Sequence, residues 1–188
     1  APKIPSYLST HPAAEERLSL LENLLQIKQR PSGPFRTIPN FKRIQIKAFA
    51  EDREPHAAVT HFQSFVDANP KDLDGYYGLG LAYRKMGRLD KSMEALQSAH
   101  SFAPNDLDIL KERGVVYFLS GKLDQAMEDL EVVRSRPSTG PGQNNDLLTL
   151  YYLGRTYQEK GELSKALPLF LKVKKEASFF TDVYFNLG

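Results

Sequence analysis

Three glycines, Gly87, Gly121 and Gly161, mark one position of a recurring pattern, and that recurrence constrains this chain more than any composition figure. Aligned on them, residues 73–106, 107–146 and 147–180 carry the same residue types at the same offsets. The first of these units has Tyr76, Leu79, Gly80, Tyr83, Ser92, Leu96, Ala99 and Pro104. The second has Leu110, Gly114, Tyr117, Ala126, Leu130, Val133 and Pro137, and the third Leu150, Leu153, Gly154, Tyr157, Ala166, Phe170 and Val173. A fixed period of this size predicts stacked supersecondary units, each too small to bury its apolar face alone.

The spacing assigns each type a task. Leu79 or Leu153 and the tyrosines Tyr83, Tyr117 and Tyr157 recur at three, four and seven residues, so they share one stripe of a helix and form core. Gly80, Gly114 and Gly154 remove a side chain where a partner helix comes closest, and the small Ser92, Ala126 and Ala166 do the same from that partner. Gly87, Gly121 and Gly161 supply the positive φ that ends the first helix of each pair. Asp72, Asp106 and Asp146 stand where a carboxylate caps the next helix, and Pro70, Pro104 and Pro137 stand where one ends.

These positions resemble the tetratricopeptide repeat, W-x2-L-G-x2-Y followed by A-x3-F and a proline. The resemblance implies an all-α, right-handed superhelix of helix-turn-helix units over residues 39–188. Residues 39–72 read as a degenerate unit that keeps Ala58, Phe62, Phe65 and Pro70 but has Gln45-Ile46 in place of Leu-Gly and no turn glycine. The six extra residues of the 107–146 unit fall in the Ser/Pro/Gly/Asn stretch 135–145, a loop by its composition. Tyr184, Leu187 and Gly188 match the opening of a further unit, 181–188. A chain that starts with Ala and stops there reads as a fragment, and its unpartnered last apolar face is expected to self-associate.

Residues 1–38 do not share the pattern. A helix is predicted over about 12–29, with Pro12 at the favoured first position and Leu18, Leu21, Leu24 and Leu25 at helical spacing, followed by a connector containing Pro31, Pro34 and Pro39. Residues 7–18, with Thr10, His11, Pro12 and Arg17, resemble the closing segment of bacterial zinc peptidase domains of the HtpX and BepA-like family. That resemblance implies a His-Glu-x-x-His domain upstream, zinc as the cofactor of that parent, and a periplasmic or otherwise extracytoplasmic setting, with a cytoplasmic one left open. His11 then has two readings, a solvated helix-start residue or an imidazole able to reach the parent's zinc. No cofactor is expected for the fragment itself.

The chain contains no His-Glu-x-x-His. His56 and His61 are five apart, about 140° around a helix, and cannot form a zinc pair on one face. With no cysteine among 188 residues, disulfides, thiolate nucleophiles and thiolate metal sites are excluded. Twenty-five Lys and Arg against 23 Asp and Glu give a net charge of +2, which offers little to a polyanion, so nucleic acid is not an expected partner. No uncharged apolar run approaches the roughly 18 residues of a membrane span. No convergent nucleophile, base and ligand set can be assembled, so the fragment is not expected to be an enzyme.

In the repeat family the first helices line an inner surface that receives peptides or helices. The resemblance places Tyr77, Leu81, Arg84 and Lys85, then Lys111, Val115 and Phe118, then Tyr151, Arg155, Gln158 and Glu159 on it. Tyr77, Phe118 and Tyr151 are candidate anchors and Arg84, Lys111 and Arg155 candidate selectors, although the aromatics could equally pack neighbouring helices. The Lys and Asn pairing used by some members to clamp a carboxylate is missing. Two functions stay open, a protein-binding array presenting partners to an attached zinc peptidase and a stand-alone adaptor.

Overall fold

A computed structural model describes residues 41–136 and 146–176. The chain divides into two units, Ala1–Phe41 and Lys42–Gly188, and the helices below are those of the second, with Phe41 at the head of the first. They are α1 (Phe41–Asp52), α2 (Pro55–Ala68), α3 (Leu73–Lys85), α4 (Leu89–Phe102), α5 (Leu107–Leu119), α6 (Leu123–Ser135), α7 (Leu147–Glu159) and α8 (Leu163–Glu176). No strand occurs among the described residues. The expected N-terminal helix with His11, Pro137, the 137–145 part of the loop and the partial unit 181–188 lie outside them, as does the apolar face expected to self-associate.

Helices α3 and α4, α5 and α6, and α7 and α8 pack as antiparallel hairpins, while α2 lies on α3, α4 on α5 and α6 on α7. Sequence chemistry explains each joint. Gly87, Gly121 and Gly161 have φ of 71°, 72° and 77°. At the first of these turns Arg88 N–H donates to Tyr83 O at 2.9 Å and Gly87 N–H to Arg84 O at 2.9 Å, closing the end of α3. Asp72 Oδ1 accepts from Gly75 N–H at 2.6 Å, Asp106 Oδ1 from Asp108 and Ile109 N–H at 3.0 and 3.2 Å, and Asp146 Oδ1 from Thr149 N–H at 3.3 Å. These carboxylates cap α3, α5 and α7.

Within each hairpin the close approach falls at the glycine seven residues before the turn glycine. A Cβ on Gly80 would stand 2.6 Å from Leu96, on Gly114 2.7 Å from Leu130, and on Gly154 2.8 Å from Phe170. Ser92, Ala126 and Ala166 are buried opposite, and Ser92 Oγ donates to Gly80 O at 2.7 Å. The α5/α6 hairpin adds a bidentate pair, Arg113 to Asp129, at 2.6 and 2.7 Å.

The first unit departs from the others. Helix α1 has no backbone packing along α2 like that inside the later hairpins, and touches it through the Phe49 ring, 4.2 Å from His61 and 5.5 Å from Phe62. Phe65, expected as a repeat core position, is 45% exposed, and Val66 is buried instead. Pro168 stands inside α8, where it removes one helical hydrogen bond. The helix continues because Ala166, Phe170 and Val173 are all buried on one side.

Candidate protein-binding groove

The inner face is built by α3, α5 and α7, and its charges follow from helix physics. Acids gather at helix starts, as caps and first-turn residues, with Asp74 on α3 and Asp106 and Asp108 on α5; Arg84 and Lys85 occupy the last turn of α3. The α3 and α5 part of the face is therefore acidic at its start, and α3 is basic at its end.

Helix α1 lies on the α3 and α5 part of it. Arg43 Nη2 is 2.9 Å from Asp106 and 3.4 Å from Asp74, Lys42 Nζ 2.7 Å from Asp74, and Lys47 Nζ 2.5 Å from Asp108. At the other end Arg84 reaches Glu51 at 2.8 Å, and Lys85 Nζ donates to the carbonyls of Glu51 and Arg53. The Arg43 guanidinium sits 4.2 Å from the centroid of the Tyr77 ring.

Four residues expected to line an open groove do not. Tyr77 is fully buried under Arg43, and Leu81, Val115 and Tyr151 are also buried, at 2%, 0% and 8% exposure. Tyr77 faces Arg43 of α1, and the Tyr151 ring lies against Tyr152 and against Phe170 of α8, so with all four buried none is available as an anchor. Arg84 is partly exposed and engaged by Glu51; Lys85 is exposed and closes the end of α1.

The face beyond α1 is more open. Phe118 and Tyr152 are partly exposed, their rings 5.5 Å apart, and the Arg155 guanidinium lies 5.5 Å from the Phe118 centroid. Arg155 also reaches Tyr151 Oη and Glu159 Oε1, each at 3.4 Å. Lys111 Nζ donates to Asp146 at 2.7 Å, tying α5 to the cap of α7, and Gln158 is partly exposed in the last turn of α7. Tyr152 was not among the expected residues.

Glu112 and Asp108 were also missed, although Asp108, Glu112 and Val115 share helical spacing with expected members of the face. Glu112 is 4% exposed, with Arg84 Nε 3.4 Å away and too poorly aligned for a hydrogen bond. Burial pushes its carboxyl above the usual range, against the pull of Arg84. Burial pushes the Tyr77 hydroxyl well above its ordinary value, and Glu112 and Asp108 add to that. Burial acts to raise Asp108, but the Lys47 hydrogen bond and charge outweigh it and hold the carboxyl low. Among the described residues no group of three His, Asp or Glu side chains could hold a metal ion.

The tetratricopeptide-repeat family model matches residues 45–106, which span α3, α4, α2 and most of α1. A solved structure of MamA from MSR-1 superposes with a TM-score of 0.63 at 21% identity, covering 77% of this chain and 80% of that one. The fold is that of the tetratricopeptide repeat. TTC0263, a thermophilic repeat protein of Thermus thermophilus, superposes with a TM-score of 0.51 at 22% identity over 90% of this chain and 86% of its own. The Cut9–Hcn1 hetero-tetramer of APC/C gives 0.61 at 14% identity over 90% of this chain and 31% of that one. No curated protein matches the sequence. These repeats stack as the all-α right-handed solenoid that the resemblance implied.

Proposed function

We propose that this chain is a non-catalytic protein-binding scaffold whose inner helical face receives segments of other proteins. The observation that carries this is the open cluster Phe118, Tyr152 and Arg155, an aromatic and guanidinium patch of the kind that anchors protein interfaces. With Phe118→Ala and Arg155→Ala combined, recovery of cross-linked partner proteins should fall by about tenfold while circular dichroism stays unchanged. Equal recovery would reject the groove.

The finer part of the proposal is that the scaffold presents substrates to an attached zinc peptidase in the cell envelope. Its support is the resemblance of residues 7–18 to the closing segment of such peptidases, in the order of that tail, a helix, then a repeat array. In that parent, zinc would be held by a His-Glu-x-x-His domain and His11 would stand near the metal cleft. The coding sequence upstream of Ala1 is the deciding observation: a His-Glu-x-x-His about a hundred or more residues earlier is expected, and its absence leaves a stand-alone adaptor. In such a full-length protein, His11→Ala should change zinc content or peptide hydrolysis; no change in either would remove His11 from the metal site.

A further inference from the structure

Helix α1 carries its charges the wrong way round for an isolated helix. Lys42 and Arg43 lie in its first turn and Glu51 and Asp52 in its last, with no acid at the start and no base at the end. Each opposes the helix dipole, so the pattern weakens the helix until something outside it supplies the opposite charges. The inner face supplies them: Asp74, Asp106 and Asp108 meet the basic first turns, and Arg84 and Lys85 meet the acidic end.

The seat is otherwise light. Only Ile46 and Ala50 of α1 are buried, whereas α3 buries seven residues and α5 six. Most of its attachments are ion pairs between partly exposed groups, which are individually weak. Beneath it, Tyr77 Oη and Glu112 Oε2 are buried without hydrogen-bond partners, as is Nη1 of Arg43 on α1 itself, so the fit leaves two polar groups of the face for another occupant to satisfy. The link from α1 to α2 is two residues, Arg53 and Glu54, followed by Pro55.

We infer that the α3 and α5 part of the inner face is a receptor for an amphipathic helix with a basic first turn and an acidic last turn, and that α1 is its resident, displaceable occupant. This rests on the groove reading above and names the chemistry of the partner: a helical protein segment whose Lys or Arg side chains reach Asp74, Asp106 and Asp108 while an acid reaches Arg84. Such a segment binds by exchange with α1, so its apparent affinity is lowered by the fraction of molecules in which α1 is seated.

The test uses the full 188-residue chain and, as probe, a fluorescently labelled synthetic peptide of residues 39–54. In the Arg43→Glu/Lys47→Glu chain the peptide should bind at least about tenfold tighter than in the wild type, and adding Asp74→Lys and Asp108→Lys should abolish binding. Equal affinity for wild type and the loosened chain would overturn the displaceable occupant while leaving the groove a helix receptor. No binding to either would overturn the receptor, and the Phe118/Arg155 experiment would still judge the groove by itself. Should the loosened chain not fold, hydrogen exchange of the wild type decides: α1 amides exchanging well before those of α3 and α5 support the inference, and α1 exchanging only with them overturns it.

Discussion

An alanine at Gly80 would bring its Cβ to 2.6 Å from Leu96, whereas one at Gly87 would meet nothing within 4 Å and suffer only from a φ of +71°. The two glycines therefore fail for different reasons. Gly80→Ala is expected to cost about 1–3 kcal/mol through overpacking and to be partly rescued by Leu96→Val. Gly87→Ala should cost about 1–2 kcal/mol through left-handed strain and gain nothing from Leu96→Val. Urea denaturation of the four variants checks both. Glu112 makes the opposite point, a polar residue held where the fold does not favour its charge. Its carboxyl is raised, so the folded chain keeps a proton that the unfolded chain releases, and its contribution to stability falls as pH rises above the ordinary carboxylate range. Glu112→Gln should melt above wild type at neutral pH, with the gap closing in acid; a lower melting temperature at neutral pH would mean that the Arg84 contact outweighs burial.

At the scale of a helix, the capping aspartates have two kinds of duty. Asp106 caps α5 with one oxygen and holds Arg43 of α1 with the other, while Asp146 caps α7 and holds Lys111. Replacing either by alanine should cost about 1 kcal/mol from the lost cap. Only Asp106→Ala should speed hydrogen exchange in α1, since Asp146 has no contact with that helix. Exchange in α1 rising equally in both variants would contradict this division. The caps, turn glycines and paired small residues were legible in the sequence because each depends on neighbours a few positions away. The burial of Tyr77, Leu81, Val115 and Tyr151 was not, because an offset says which way a side chain points but not what lies in front of it. The continuation of α8 through Pro168 was equally out of reach, since the burial of Ala166, Phe170 and Val173 offsets a local defect.

Across the described helices, most buried apolar residues fall in two clusters, one joining α1 to α5 and another joining Leu130 of α6 to α7 and α8. Stability in a stack of this kind passes from neighbour to neighbour. Gly154→Ala, which would press on Phe170, should therefore reduce amide protection in α7 and α8 and leave α3 and α4 close to wild type; a uniform loss across all helices would show a single cooperative block instead. The repeat period, the helical class, the joints between helices and the aspartate caps were determined by the sequence alone, because they arise from periodic burial and from backbone groups satisfied within a few residues. Which part of the inner face stays open was decided only in three dimensions. Arg43 and Asp106 lie 63 residues apart, and no local rule couples them. They meet because stacked helices bring acidic starts side by side, leaving a complementary strip on which the oppositely charged α1 comes to rest.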